Sequence, residues 1–325
     1  MGTGTKAASV PGGPAVQVRG PLVSGLTILR NGVRLDYPFR EAIRSALPIC
    51  DEYTFVVGRS DDGTREAVED LRDPKIRIVD THGSDHVTPR QCLLAQQTNI
   101  GLNLARGRWC LSVQGAEVVH ERDLPHLRAL MEQHVDDARV EGMLFERLTF
   151  WADYQHVLAV YPWLFKYTPR IVRCGIGVHS IRDAMSFAVF DDWSTRGRYP
   201  RCIDTGAYMF RYSDVRELEV LQRKYRESAH GNPRSSIAAD HFLQRVPRSF
   251  VARHAGSHPA VMAERMRGFP QQYDSQDPRC RTRMTGSEWV RALETQLYHR
   301  IGLPRWRNSR FRLQGALAPK HDRPR

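Results

Sequence analysis

No uninterrupted apolar run in this chain approaches the roughly 20 residues that a membrane-spanning helix needs. The most apolar stretch, Phe150 to Phe165, is broken by Asp153, Gln155, His156 and Pro162. Residues 1–20, rich in Gly, Ala, Thr, Val and Pro, hold no apolar block long enough for a secretory signal and read as a flexible arm. The six cysteines, Cys50, Cys92, Cys110, Cys174, Cys202 and Cys280, show neither a Cys-x-x-Cys pair nor a regular spacing. That argues against a zinc site and a disulfide framework, and for free thiols in a reducing cytoplasm. No internal repeat is present. His254 and His258 have helical ligand spacing, but no Glu follows His254, and Gly256 and Pro259 point to a loop, which removes a metalloprotease site from consideration.

What remains is a chain of 325 residues, 41% hydrophobic, enough for one enzyme-sized body. Its formal charge of +12 is unevenly placed, because Arg300 to Arg325 carries eight Lys or Arg residues against Asp322 alone. With Trp306 and Phe311 set between arginines, this tail suits the anionic inner face of a membrane, or nucleic acid; the plainer reading is a solvated terminus.

The apolar run Leu22 to Leu29 predicts a strand, and Phe39, Ile43 and Leu47 fall on one face of a helix over Asp36 to Leu47. Thr54 to Val57, Ile76 to Val79 and Trp109 to Val113 read as further strands. Ala67, Val68 and Leu71 mark a second helix, and Leu93, Ile100 and Leu104 a third. Four strands alternating with three helices predict parallel crossovers and an α/β sheet covered on both faces. In such sheets ligands sit beyond the carboxyl ends of the strands, where helix N-termini and loop amides converge on phosphate. Arg30-Asn31, Ser60-Asp61-Asp62-Gly63-Thr64 and Gln114-Gly115-Ala116-Glu117 occupy those ends. After Asp123 come longer aromatic-rich segments, including Phe150, Trp151, Tyr154, Tyr161 and Trp163, that suit strands and lids of an acceptor-binding half. Helical patterning returns from about Ser213. Taken alone, Ser60 to Thr64 is an ordinary helix cap.

The order and approximate spacing of Arg30-Asn31, Tyr37-Pro38, Ser45-x-Leu47-Pro48, Cys50-Asp51-Glu52, Ser60-Asp61-Asp62-Gly63-Thr64, Gln97-Thr98-Asn99-x-Gly101, Ala105-x-Gly107 and the strand to Glu117 resemble the bacterial, inverting family-two glycosyltransferases of GT-A fold. The resemblance covers Val23 to about Asp123. Beyond it rests on Phe145 to Trp151, Pro169 to Arg173, Asp183-Ala184, Tyr208 to Tyr212 and His258-Pro259. It implies a Rossmann-like, mostly parallel sheet flanked by helices with an acceptor-side α+β half. The implied divisions are an arm (1–20), a nucleotide-sugar half (21–123), an acceptor half (124–260), and a C-terminal helical segment with a basic tail (261–325).

Carried over by position, the resemblance implies that Thr27, Arg30, Asn31, Asp61 and Asp62 line the nucleoside pocket. Asn99 and Gly101 would lie beside the ribose and diphosphate, and Gln114 and Glu117 would close the metal-motif loop. Asp62, Asn99 and Glu117 should then line one cavity. Two departures matter. The family's acidic residue after its second strand falls at Gly58, which leaves the nucleobase unsecured. Its cation-binding Asp falls at Ala116, and a histidine that often completes the metal shell aligns with Arg211. A divalent cation, Mg or Mn, is therefore doubtful, with Glu117 its one remaining carboxylate. A unit countercharge about 4 Å from the leaving diphosphate is worth roughly 4 kcal/mol at an effective dielectric near 20, nearly three decades in rate. Arg211 could replace it as fixed charge, or could simply pair with Asp214. For the carboxylate base the expectation is Asp183, in a segment resembling the family's Asp-Ala-Gln, with Asp191 and Asp192 as competitors.

The expected activity is transfer of a sugar from a nucleotide diphosphate donor, a UDP-sugar, to a glycan, lipid-linked or natural-product acceptor, in the cytoplasm or at the inner membrane surface. Two alternatives stand beside it. One is a degenerate relative that binds nucleotide sugar or glycan without turnover, motivated by Ala116. The other is a nucleic-acid binder acting through the tail, against which the carboxylates near the proposed cleft argue.

Overall fold

The computed structural model describes residues 20–82, 90–160, 167–182, 184–191, 196–227, 243, 246–278, 284–301 and 311–317. Strand β1 (Val23–Leu29) leads through α1 (Phe39–Ala46) to β2 (Glu52–Gly58), and α2 (Thr64–Glu69) leads to β3 (Ile76–Thr81). Helix α3 (Arg90–Leu104) then returns the chain to β4 (Trp109–Ser112). In α1, Phe39, Ala42, Ile43 and Ala46 recur at helical spacing and are buried, and the helix gives way at Leu47-Pro48. β1 is buried from Val23 to Thr27, as a strand covered on both faces must be. Short β5 (Glu117–Val119) and α4 (Leu124–Gln133) follow.

The second half holds β6 (Gly142–Ala152), β7 (His156–Leu158), β8 (Tyr167–Arg173), the hairpin β9 (Val178–Ile181) and β10 (Ser186–Val189), and β11 (Arg201–Val215). Helix α5 (Leu218–Glu227), β12 (Val251–Arg253), a C-terminal helix Gly286–Ile301 and β13 (Arg312–Leu313) complete it. The main sheet runs β12-β7-β6-β8-β4-β1-β2-β3, with β11 joining β6, β5 and β13. β3, β2, β1 and β4 are parallel, and β8 is antiparallel to both β4 and β6, closing the crossover series. The expected class, a Rossmann-like α/β fold with an α+β second half, is the one observed. The strand and helix series agrees with the hydrophobic pattern to within a few residues. Ser213 is still strand, however, because β11 continues to Val215 before α5 begins.

Packing joins the halves. Buried Trp109 donates its indole N–H to the Met131 carbonyl at 2.9 Å and lies under Arg173, whose guanidinium is 4.2 Å from the ring centroid. Arg173 spends its donors on the carbonyls of His134, Val135, Asp137 and Val140 in the segment that follows α4. From the other side, fully buried Arg216 donates to the Leu35 carbonyl at 2.6 Å and stacks over Tyr37, fixing the β1–α1 loop.

Glu141, 3% exposed, accepts from Arg198 at 2.6 and 2.7 Å and from the backbone and guanidinium of Arg201 at 2.9 and 2.7 Å. Burial pulls its pKa upward, but these donors outweigh it and hold it at about 2, below the ordinary 4.5. A carboxylate depressed in the native state contributes stability above its unfolded pKa, and the contribution is lost as pH falls toward the folded value. Thermal midpoints are therefore expected to drop between about pH 4.5 and 2, and Glu141→Gln should flatten that slope. Equal slopes in the two proteins would refute the assignment.

Cys50, Cys92, Cys110, Cys174 and Cys202 are free thiols. Among the described residues no helix is long and apolar enough to cross a membrane. The loop expected at His254 to His258 is found, following β12. Of the sequence expectations, Asp183, Asp192, Tyr161, Trp163, Cys280, Trp306 and the arm before Gly20 lie outside the described residues.

Candidate active site

The strand order 3-2-1-4 reverses between β1 and β4, which places a topological switch point there. Arg30-Asn31 leaves β1 there, Gln114 to Glu117 leaves β4, and Ser60 to Thr64 leaves the adjacent β2. Asn31 takes a left-handed backbone at φ 54 and turns the chain at the rim.

The loops after β1 and β2 are bonded to each other. The Asn31 amide donates to Ser60 Oγ at 2.9 Å, the Gly32 amide to Thr64 Oγ1 at 2.7 Å, and the Arg34 amide to Asp62 Oδ2 at 2.7 Å. Asp62 also accepts from the amide and hydroxyl of Thr64. Burial pulls its carboxyl upward, yet these donors hold it below the ordinary range. Gly63, at φ 79, is in the left-handed region that a glycine enters without cost. The cap reading of the segment is thus met in the structure: Asp62 accepts from the first amide of α2 and also ties that turn to the β1 loop.

On the other side of the switch point, Asn99 clamps the hairpin strand β9. Its Oδ1 accepts from the Ser180 amide at 2.7 Å and its Nδ2 donates to the Ser180 carbonyl at 3.1 Å. Gln114 Nε2 reaches the Ala184 carbonyl at 3.1 Å. The β9–β10 turn is therefore tied to the rim through Ala184, and the residues flanking Asp183, Arg182 (φ 57) and Ala184 (φ 48), both adopt left-handed backbone. Gly101 is where α3 presses on β1; a Cβ there would lie 2.1 Å from Leu26 Cδ1.

Thr27 is 1% exposed and spends its hydroxyl on Tyr53 and the Val113 carbonyl, so it supports the rim from inside. Arg30 and Asp61 are exposed on it, with Asp61 paired to Arg34 at 3.2 Å. Of the two carboxylates that competed with Asp183, Asp191 is an exposed partner of Arg198.

Glu117 is enclosed in the protein interior. It is 0% exposed, with Arg170 Nη2 at 2.7 Å and Arg147 Nη2 at 3.5 Å from Oε1, and the Gln114 amide donating to Oε2 at 3.2 Å. Burial alone would raise its pKa; the charges of Arg170 and then Arg147 outweigh burial and lower it. Arg211 lies directly across from Glu117 in the β5–β11 ladder, hence on the same face of the sheet. Its Nη1 is 3.8 Å from Asp214, the pairing expected as the alternative to a phosphate role, though both side chains are largely buried rather than on the surface. Asp214 also accepts from Lys224 at 3.1 Å. Burial lowers the Lys224 pKa and the Asp214 charge opposes that fall; Asp214 itself, though buried, is held well below the usual range by Lys224 and Arg211.

A divalent cation does not fit these side chains. Ala116 has no donor, Glu117 is committed to two guanidinium groups, and among the described residues no group of three or more His, Cys, Asp or Glu is placed to hold a metal. Cationic side chains stand there instead. Sequence reasoning missed Arg147 and Arg170 as the partners of Glu117. The available signal was a charged residue within each of two buried apolar strands, which implies a buried partner.

A cavity of about 260 Å³ is lined by Asp153, Tyr154, His254, His258, Met266 and Phe269 among others. It lies on the opposite face of β6 and β11, where Phe150, Phe210 and Tyr212 pack together. Burial and neighbouring His254 lower the His258 pKa to about 4, so this ring is neutral near pH 7, accepting or donating at 2.9 Å to Tyr212. A second cavity, of about 450 Å³, opens at the amino ends of β2 and β3 beside Glu52 and Arg106. Asp62, Asn99 and Glu117 line neither.

No protein-family model and no curated protein matches the sequence. Solved structures that are similar include S. aureus TarS 1–349 in complex with UDP, at 18% identity over 40% of this chain and 36% of that one, with a TM-score of 0.32. The same protein in complex with UDP-GlcNAc gives 14% identity over 69% of this chain and 70% of that one, with a TM-score of 0.38. The mannosyltransferase PcManGT from Pyrobaculum calidifontis, in complex with GDP-Man and Mn2+, gives 18% over 38% and 34%, with a TM-score of 0.28. The chain thus spans between 34% and 70% of these structures, and likenesses this slight leave the function to be argued from the chain's own rim.

Proposed function

We propose that this protein is a glycosyltransferase that moves a sugar from a nucleotide diphosphate donor, a UDP-sugar, to a hydroxyl of a glycan, lipid-linked or natural-product acceptor with inversion. The observation that carries this reading is the convergence of the Arg30-Asn31, Ser60–Thr64 and Gln114–Glu117 loops at the switch point, the first two joined by direct hydrogen bonds. Arg30, Asn31, Asp61 and Asp62 form the nucleoside side of the rim. Asn99 and Gln114 form the side beside the ribose and diphosphate, and Gly101 supports it by letting α3 pack on β1.

In the proposed displacement the acceptor oxygen bonds to the anomeric carbon as the bond to the diphosphate oxygen breaks. Asp183 takes the hydroxyl proton and the nucleoside diphosphate leaves as an anion. Arg211 supplies fixed positive charge in place of a cation, and Glu117 acts as the buried anchor that orients Arg147 and Arg170. Fixed donors already oriented toward developing charge need no reorganisation during reaction.

A thermal-shift panel of nucleotide sugars, followed by turnover assays, tests this. A UDP-sugar is expected to raise the melting point by an amount that grows with the logarithm of its affinity, and turnover should persist in chelator. Arg211→Ala should abolish turnover, and Asp183→Asn should lower it by at least about 10²-fold. Strict dependence on manganese would reject the metal-free reading, and normal turnover by Asp183→Asn would reject the base. A second reading is favoured by Ala116 together with the burial of Glu117: a protein that binds nucleotide sugar without turnover. Tight donor binding with no transfer or hydrolysis in any condition would select it.

A further inference from the structure

Surface helices of a folded body bury their apolar face and show water a polar one. The helix Gly286–Ile301 does the reverse. Trp289 is 62% exposed, Val290 54%, Leu293 57% and Leu297 42%, whereas Glu288 and Ala292 are turned inward at 7% and 8%. At about 100° of rotation per residue, the four apolar side chains fall within an arc of roughly 100°. Among the described residues only Val33, Leu94 and Leu218 are comparably exposed large apolar side chains, each on a different element or loop.

The helix is a built element rather than a frayed end. Thr285 and Glu288 form a reciprocal N-terminal cap, with the Thr285 amide and hydroxyl both donating to Glu288 Oε2 at 2.8 and 2.9 Å. The cap holds Glu288 on the inward side of the helix, away from the exposed stripe.

We propose that this helix lies flat on an anionic lipid bilayer, its stripe from Trp289 to Leu297 entering the boundary between headgroups and acyl chains. The argument for this occupant is charge. The residues that follow, Arg300 to Arg325, hold eight Lys or Arg residues against Asp322 alone, so the apolar stripe adjoins the most basic stretch of the chain. An apolar helical face with Trp and Leu, continued by clustered basic residues, is the composition that binds interfaces by apolar burial and headgroup attraction together. The helix is too short and too polar to cross a membrane, which leaves lying on the surface. Self-association through the same face would draw two strongly cationic tails together, a repulsion that a bilayer of anionic headgroups converts into attraction. The proposal is independent of the reaction assigned above, though it would bring the enzyme to a lipid-linked acceptor.

Flotation of the full chain with vesicles tests it, using phosphatidylcholine alone and phosphatidylcholine mixed with phosphatidylglycerol. Binding is expected to the mixed vesicles only, and to weaken in salt as the Debye length shrinks. Combined Trp289→Ser, Leu293→Ser and Leu297→Ser should lower partition by about tenfold or more with an unchanged unfolding transition. If that variant misfolds, Leu293→Asp alone, at the centre of the exposed stripe, serves the same comparison. Equal binding to neutral vesicles, or undiminished binding by the variants, overturns the proposal. So does an absence of vesicle binding accompanied by a dimer in sedimentation velocity that the variants abolish, which would assign the face to a second copy. Tighter binding to duplex DNA than to the mixed vesicles, at one salt concentration, overturns it in favour of nucleic acid.

Discussion

Arg170→Ala is expected to destabilise the protein by about 3–5 kcal/mol, because it removes the closest partner of a carboxylate that has no access to water. Glu117 is 0% exposed, and the Arg170 guanidinium is the cation at 2.7 Å; Arg147, at 3.5 Å, is too far for a short charged hydrogen bond. The truncated protein must bury a poorly compensated charge or protonate it. The second outcome would appear as an upward shift of the Glu117 pKa and a stability that improves on acidification. A control separates ion pairing from packing: Glu117→Leu combined with Arg170→Leu deletes both charges and should recover most of the loss, since a buried pair and a well-packed apolar pair are often close in energy. Equilibrium denaturation of Arg170→Ala and of the double variant measures this directly. A loss below about 1 kcal/mol in Arg170→Ala, the range of an exposed pair, would show that Glu117 is solvated in solution and would reopen it as a ligand for a cation.

Trp109→Ala is expected to cost a similar amount, about 3–5 kcal/mol, and to abolish donor binding along with it. The ring is fully buried at the start of β4, between the β1 and β8 ladders. Its loss opens a cavity, leaves the Met131 carbonyl without its 2.9 Å donor, and removes the surface on which Arg173 stacks. Trp109→Phe keeps most of the apolar volume and forfeits the N–H, so it should cost about 1–3 kcal/mol by the unsatisfied carbonyl. Should Trp109→Ala and Trp109→Phe prove equally stable by denaturant titration, the stacking and cavity contributions claimed for this ring are absent.

The first half was legible because its signals are local. Leu22 to Leu29 is an apolar run long enough for a buried strand, Phe39, Ile43 and Leu47 repeat at helical spacing, and Ser60 to Thr64 is a turn that caps a helix. Such patterns fix element type without reference to the rest of the chain. The second half was less legible. β11 continues through Ser213 where the pattern suggested helix, because its pairing with β6 and β5, remote in sequence, holds it extended. Thr27 was read onto the nucleoside pocket from its position, but the pleat of β1 turns its hydroxyl toward Tyr53 in the core.

By itself, then, the sequence determined the order of strands and helices, the carboxyl-end location of the rim motifs and the absence of a carboxylate at Ala116. These follow from side-chain period and residue type. Only the tertiary structure decided that Glu117 is enclosed by Arg147 and Arg170, 30 and 53 residues further along the chain, and that the helix beginning at Gly286 turns its apolar stripe outward. Which residues meet across a sheet, and which face of a helix is covered, depend on how distant segments stack, and a one-dimensional pattern carries no record of that.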